Sequence, residues 1–145
     1  RGERRRAAIY MLALYILTSA NAETNRTRAE NAGALKAAVA AMCKHTGNKH
    51  LQWAACRALR NMNVGGGKRN VRAGTAGAVE AVAAAMRAHA GSADVQHYAC
   101  SVLFSLTSAN AETNRTRAEN AGALEAAVAA MCKHTGNKHL QWAAC

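Results

Sequence analysis

Apolar positions recur along this chain at a helical spacing. After Ala32-Gly33 they fall at Leu35, Ala38, Val39 and Met42, and after Ala76-Gly77 at Val79, Val82, Ala83 and Met86. That is i, i+3, i+4, i+7, one face of an amphipathic helix. A second stripe runs Leu51, Ala55, Leu59, Met62 and is matched by Val95, Ala99, Leu103, Leu106. Between the stripes lie Thr46-Gly47-Asn48 and Ala90-Gly91-Ser92. There the glycine is expected to supply a left-handed helix end, and Asn or Ser to cap the next helix. A short polar helix is expected around residues 23–31 and again around 112–120. Each unit therefore holds one short helix and two longer ones.

The units repeat. Residues 17–56 and 106–145 are identical except that Lys36 is replaced by Glu125. A diverged copy lies between them, with Gly33, Gly77 and Gly122 marking the same point at spacings of 44 and 45. A period in the mid-forties belongs to the helical solenoid class. Neither long helix can bury its stripe alone, so stacking of neighbouring units must do it. The expected fold class is all-α, with one array over 1–145 divided as partial repeat 1–31, repeats 32–75 and 76–120, and partial repeat 121–145. Leu35, Val39, Met42, Leu59, Val79, Met86, Leu103, Leu106 and Val128 form the expected core. Residues 1–17 align with 90–106, so the chain opens and closes inside third helices and is expected to be a piece of a longer array. Stripes left open at the two ends, Ile9, Leu14 and Leu17 at one and Val128 and Met131 at the other, suggest end-to-end self-association or contact with further repeats. Val128 falls under both expectations.

The run Asn25-Arg26, Ala32-Gly33-Ala34-Leu35, Leu51-Gln52 and Ala58-Leu59-Arg60-Asn61-Met62 resembles the armadillo repeat, and Ala76-Gly77-Ala78-Val79 with Val95-Gln96 repeats part of it. HEAT repeats are the neighbouring family, but they usually have two helices and a helix-breaking pattern absent here. The resemblance covers nearly the whole chain and implies a right-handed α-α superhelix of three-helix repeats. It also implies that the third helices line a concave groove. Peptide-binding members of the family carry Trp in that groove, with Asn four residues later. Those two positions hold Arg57 and Asn61 in one unit, Ser101 and Ser105 in the next, and Leu12 and Ile16 in the first partial unit, so only Asn61 matches. One turn earlier on the same face stand Trp53, His97 and Trp142, with Trp53 placed to stack on Arg57 at i, i+4. The candidate groove is thus Trp53, Arg57, Asn61, His97, Ser101, Ser105 and Trp142. Trp53 has a second reading, as a cover for the adjacent repeat.

Composition sharpens this picture in three ways. Proline is absent and much of the apolar half is alanine, which suits close helix packing. With 19 Lys+Arg against 8 Asp+Glu, the formal charge of +11 favours acidic partners or nucleic acid, unless it is a merely solvated surface. Arg28, Arg72 and Arg117 occupy one position in three units and stand out as a basic ladder, joined by Arg26, Lys68, Arg69 and Arg115. Such a strip suits a phosphate backbone. Few aromatics are available to stack bases. Five cysteines, an odd number without a framework, point to reduced thiols and an intracellular location, cytoplasmic or nuclear.

Arg4-Arg5-Arg6 followed by apolar residues 9–17 imitates a signal peptide, but the string that follows it recurs at 106–111, inside the chain. That stretch reads as a repeat helix, too short to span a membrane. Gly65-Gly66-Gly67-Lys68 lacks the first glycine, the Ser/Thr and the strand of a phosphate loop and reads as a turn. Cys43, His45, His50 and Cys56, repeated at Cys132, His134, His139 and Cys145, match no common zinc spacing. Asn25-Arg26-Thr27 and Asn114-Arg115-Thr116 fit a glycosylation acceptor only in a secreted chain. No catalytic constellation, metal site or cofactor is expected. The leading expectation is a non-enzymatic scaffold that binds an extended or acidic protein segment in the groove. The alternative is sequence-independent nucleic-acid binding along the ladder.

Overall fold

A computed structural model describes residues 2–19, 22–63, 66–108 and 112–144. Arg1, Gly65 and Cys145 lie outside the described residues, as do the side chains of Arg4 and Arg5. The described residues form ten α-helices and no strands. They are α1 (Gly2–Ser19), α2 (Ala22–Asn31), α3 (Ala34–Lys44), α4 (Lys49–Met62), α5 (Lys68–Thr75), α6 (Ala78–Ala88), α7 (Ala93–Thr107), α8 (Glu112–Asn120), α9 (Ala123–Lys133) and α10 (Lys138–Ala144). In the repeat frame α1, α4, α7 and α10 are third helices, α2, α5 and α8 first helices, and α3, α6 and α9 second helices.

Equivalent helices stack. α1 packs on α4, α4 on α7 and α7 on α10, while α3 packs on α6 and α6 on α9. Every substantial contact among the described residues joins helices at most three places apart in chain order. Both stripes are buried in these layers: Leu51, Ala55, Leu59 and Met62 on α4, and Val95, Ala99, Leu103 and Leu106 on α7. The alanines Ala38, Ala58, Ala73, Ala78 and Ala99 are fully buried, which lets backbones approach closely.

Three local devices set the geometry of a unit. The turn between first and second helices is left-handed at Gly33, Gly77 and Gly122, with φ of 77°, 86° and 65°. Only glycine adopts this without strain. The side chains of Asn48, Ser92 and Asn137 accept from the backbone N–H of Leu51, Val95 and Leu140 and cap the third helices. Finally, Gln52, Gln96 and Gln141 donate from Nε2 to carbonyls ending the preceding second helix: Met42 and His45, Met86 and His89, Met131 and His134. Each glutamine bonds one last-turn carbonyl of the second helix and the carbonyl of its histidine cap, which also accepts from the backbone N–H of Asn48, Ser92 or Asn137.

Two expectations need correction. Gly47 and Gly91 are not left-handed; the second helices end instead at His45, His89 and His134, whose backbone N–H groups still close onto Ala41, Ala85 and Ala130. Val128 is 51% exposed, although Val39, in the same sequence context, is 8% exposed. Val39 is covered by the next unit, whose Gly77 lies against its Cγ1, whereas no described layer covers the outer side of α9. Leu35 is only half-buried, as are Leu14 and Met131, while Ile9 and Leu17 are exposed.

The first helices meet most tightly at Gly74. A Cβ there would stand 1.7 Å from Asn114 Oδ1. Asn114 is buried and cannot swing away, because its Nδ2 donates to the Asn70 and Leu106 carbonyls, both at 2.8 Å. Helix propensity alone favours Gly74→Ala by about 1 kcal/mol. The clash outweighs it, so Gly74→Ala should destabilise the chain by about 1–3 kcal/mol. Urea unfolding checks this, and in a double-mutant cycle Gly74→Ala should cost nothing further once Asn114→Ala is present.

Candidate partner-binding groove

The stacked third helices place their candidate groove residues in one row. At its centre the Arg57 guanidinium carbon sits 3.8 Å from the ring centroid of Tyr15, 4.6 Å from that of Trp53 and 5.4 Å from that of Tyr98. The three rings come from α1, α4 and α7, so one cation joins three units. Arg57 Nε is buried without a hydrogen-bond partner, and ring faces rather than a carboxylate hold the charge. Trp53 also meets Tyr98 edge to face, at 6.4 Å and 76°.

The remaining groove candidates are engaged as well. Asn61 Nδ2 donates to the Tyr15 carbonyl at 3.2 Å and to Ser19 Oγ at 2.8 Å. His97 Nδ1 contacts the His139 carbonyl at 3.1 Å, and its ring meets Tyr98 at 4.9 Å. Ser101 and Ser105 donate one turn back along their own helix, to the His97 and Ser101 carbonyls. Trp142 is 79% exposed, while Trp53 in the identical sequence is half-buried. Trp53 thus covers the adjacent unit as well as lining the row. Tyr15, Tyr98 and His139 were not among the groove candidates read from the sequence.

The basic ladder is largely neutralised. Arg72 pairs with Glu30 of α2, and Arg117 with Glu80 of α6 at 2.8 Å, each bond reaching back to an earlier helix. Arg69 pairs with Glu23 at 2.5 Å and Glu30 at 3.7 Å, and Arg115 with Glu112 at 3.2 Å. Arg26 approaches Glu23 at 3.8 Å. Arg28 is exposed and makes no ion pair among the described residues. Among the described residues, no three His, Cys, Asp or Glu stand together as a metal site. No helix among them is long and apolar enough to cross a membrane. No family model, curated protein or solved structure matches the chain.

The thiols divide by environment. Cys43 and Cys132 are exposed, Cys56 and Cys100 buried. Burial pushes the Cys56 thiol up to about 12, helped by repulsion from Cys100, and burial alone pushes Cys100 up to about 11, both from an ordinary 9.0. The fold thus favours the protonated thiols. Their contribution is intact below pH 9 and is lost as pH rises toward those values, while the unfolded chain ionises. For Cys56 the loss is about 1.4 kcal/mol per pH unit in this window. Urea midpoints should fall between about pH 9 and 10.5, and Cys56→Ala should remove much of that fall. A slope unchanged by the substitution contradicts the burial assigned to this thiol.

Proposed function

We propose that the chain is an armadillo-like α-solenoid and works as a non-enzymatic protein–protein interaction scaffold. The partner is an extended, acidic protein segment lying along the row of third helices. One observation carries this reading. The row of third helices sets Tyr15, Trp53 and Tyr98 around the cation of Arg57, with His97 against Tyr98 and an exposed Trp142 on α10. Aromatic and arginine side chains are the usual anchors of binding surfaces. Stacked units also provide the extended surface such a partner needs. The nucleic-acid alternative draws less support, because Arg72 and Arg117 are held by carboxylates of this chain.

Trp142 gives the cleanest test, since its exposure leaves little fold to lose. Acidic peptides selected from a displayed library on the intact chain should bind Trp142→Ala and Trp53→Ala/Arg57→Ala more weakly, by about 2 kcal/mol for an anchor position. Circular dichroism should confirm that each variant is folded. Changing Arg28, Arg72 and Arg117 together to Gln should leave peptide binding nearly unchanged. The opposite order, with salt-sensitive binding of labelled DNA abolished by the arginine changes, would refute the scaffold reading.

A further inference from the structure

The interface between α3 and α6 holds a cleft of about 440 Å³. Its walls are apolar and small: Val39, Ala81, Ala84 and Ala85. Its polar points are few. Gln52 lines it, and Gln52 Oε1 is buried without a hydrogen-bond partner. Ala76 and Gly77, at the C-terminal end of α5, line one end together with Glu80. Cys43 stands at its edge, exposed.

The next interface along the array, between α6 and α9, shows what this geometry accepts. There the residue at the position of Cys43 is Arg87. Arg87 reaches across the interface, and its Nη1 donates to the Ala121 carbonyl at 2.5 Å. Ala121 is the counterpart of Ala76, at the end of a first helix, where the helix dipole favours a cation. Glu125, the counterpart of Glu80, has a carboxylate oxygen beside the same turn, next to Gly122. One interface is therefore bridged by the chain's own guanidinium on an aliphatic stem. In the other, a cysteine is too short to span the distance, and the cleft stays open.

We propose that the α3/α6 cleft binds a guanidinium group carried on an aliphatic stem, in the place that Arg87 takes one unit further on. The stem lies against Val39, Ala81 and Ala84. The guanidinium donates to the Ala76 carbonyl, within reach of Glu80, which also pairs with Arg117. Gln52 Oε1 supplies a further acceptor at the wall. The site is separate from the row of third helices and does not depend on the function proposed for that row.

The chain carries its own reporter and control. Cys43 edges the cleft, while Cys132 lies in an identical sequence that no described unit covers, and both thiols are exposed. The Lys36/Glu125 difference gives them separate tryptic peptides, 37–44 and 118–133. Iodoacetamide labelling of the intact chain, read by mass spectrometry, should slow at Cys43 about threefold once butylguanidinium stands at about twice its dissociation constant. Labelling at Cys132 should not change. Butylurea, the uncharged isostere, should protect neither thiol. Protection by N-acetyl-arginine methylamide as well assigns the site to an arginine side chain of a partner. Protection by butylguanidinium alone assigns it to a free alkylguanidine. Ala84→Leu fills the cleft and should remove the protection; if that variant fails to fold, the Cys43 and Cys132 comparison still decides. Equal rates at both thiols with every probe, or equal protection by butylurea, would overturn the proposal.

Discussion

Three glutamines hold this fold at its most repeated joint. Gln52, Gln96 and Gln141 each reach from a third helix to two carbonyls that end the second helix before it. A helix end must find partners for its last carbonyls, and at the Met42 and Met86 carbonyls the bond is buried. Gln52 and Gln96 are almost wholly buried, and their amides add to the bonds that the Asn48 and Ser92 backbone N–H groups make to the His45 and His89 carbonyls. The bond fixes how each second helix meets its third, and therefore makes the hairpins alike. Alike hairpins stack α1 on α4, α4 on α7 and α7 on α10, and the row of candidate residues follows from that stacking.

Identical sequence in two settings separates local from neighbour effects. Residues 34–44 and 123–133 differ only at Lys36 and Glu125, and both form helices of the same length with the same glycine before them. Local structure is thus fixed within the unit. Burial is not: Val39 and Trp53 are covered by the following unit, whereas Val128 and Trp142 face outward. Each unit completes the core of the one before it, as expected where nearest neighbours supply most of the stability.

This explains what was legible in the sequence. Helix positions were, because the period-3.6 stripes and the Asn or Ser caps are local signals. The ladder and the groove were only half legible. A comparison of equivalent positions looks 44 or 45 residues away, but side chains meet their neighbours at other offsets. Arg72 finds Glu30 at 42 residues and Arg117 finds Glu80 at 37. Asn61 finds Ser19 at 42. Arg57 likewise reaches Tyr15 and Tyr98 rather than the residues aligned with it. Alignment brought the arginines into register as a ladder, and packing then paired two of them with acids it had left out of consideration. The left-handed glycines were misplaced at Gly47 and Gly91 because a histidine with φ near −120° ends the second helix equally well.

The same pairing bears on how a basic chain can still offer a selective surface. The carboxylates of Glu23, Glu30 and Glu80 all bond arginines of a later first helix, α5 or α8, so these acids act as fastenings between helices. Arg57 differs from these arginines, since three rings rather than an acid hold it. A carboxylate partner would have cancelled its charge, whereas aromatic faces leave that charge uncompensated at the centre of the row. Under the proposed function, an acidic segment arriving there would meet a cation already oriented by three rings, with little side-chain entropy left to lose. The cage that fastens three units together is therefore also the feature on which the proposed recognition of an acidic segment rests.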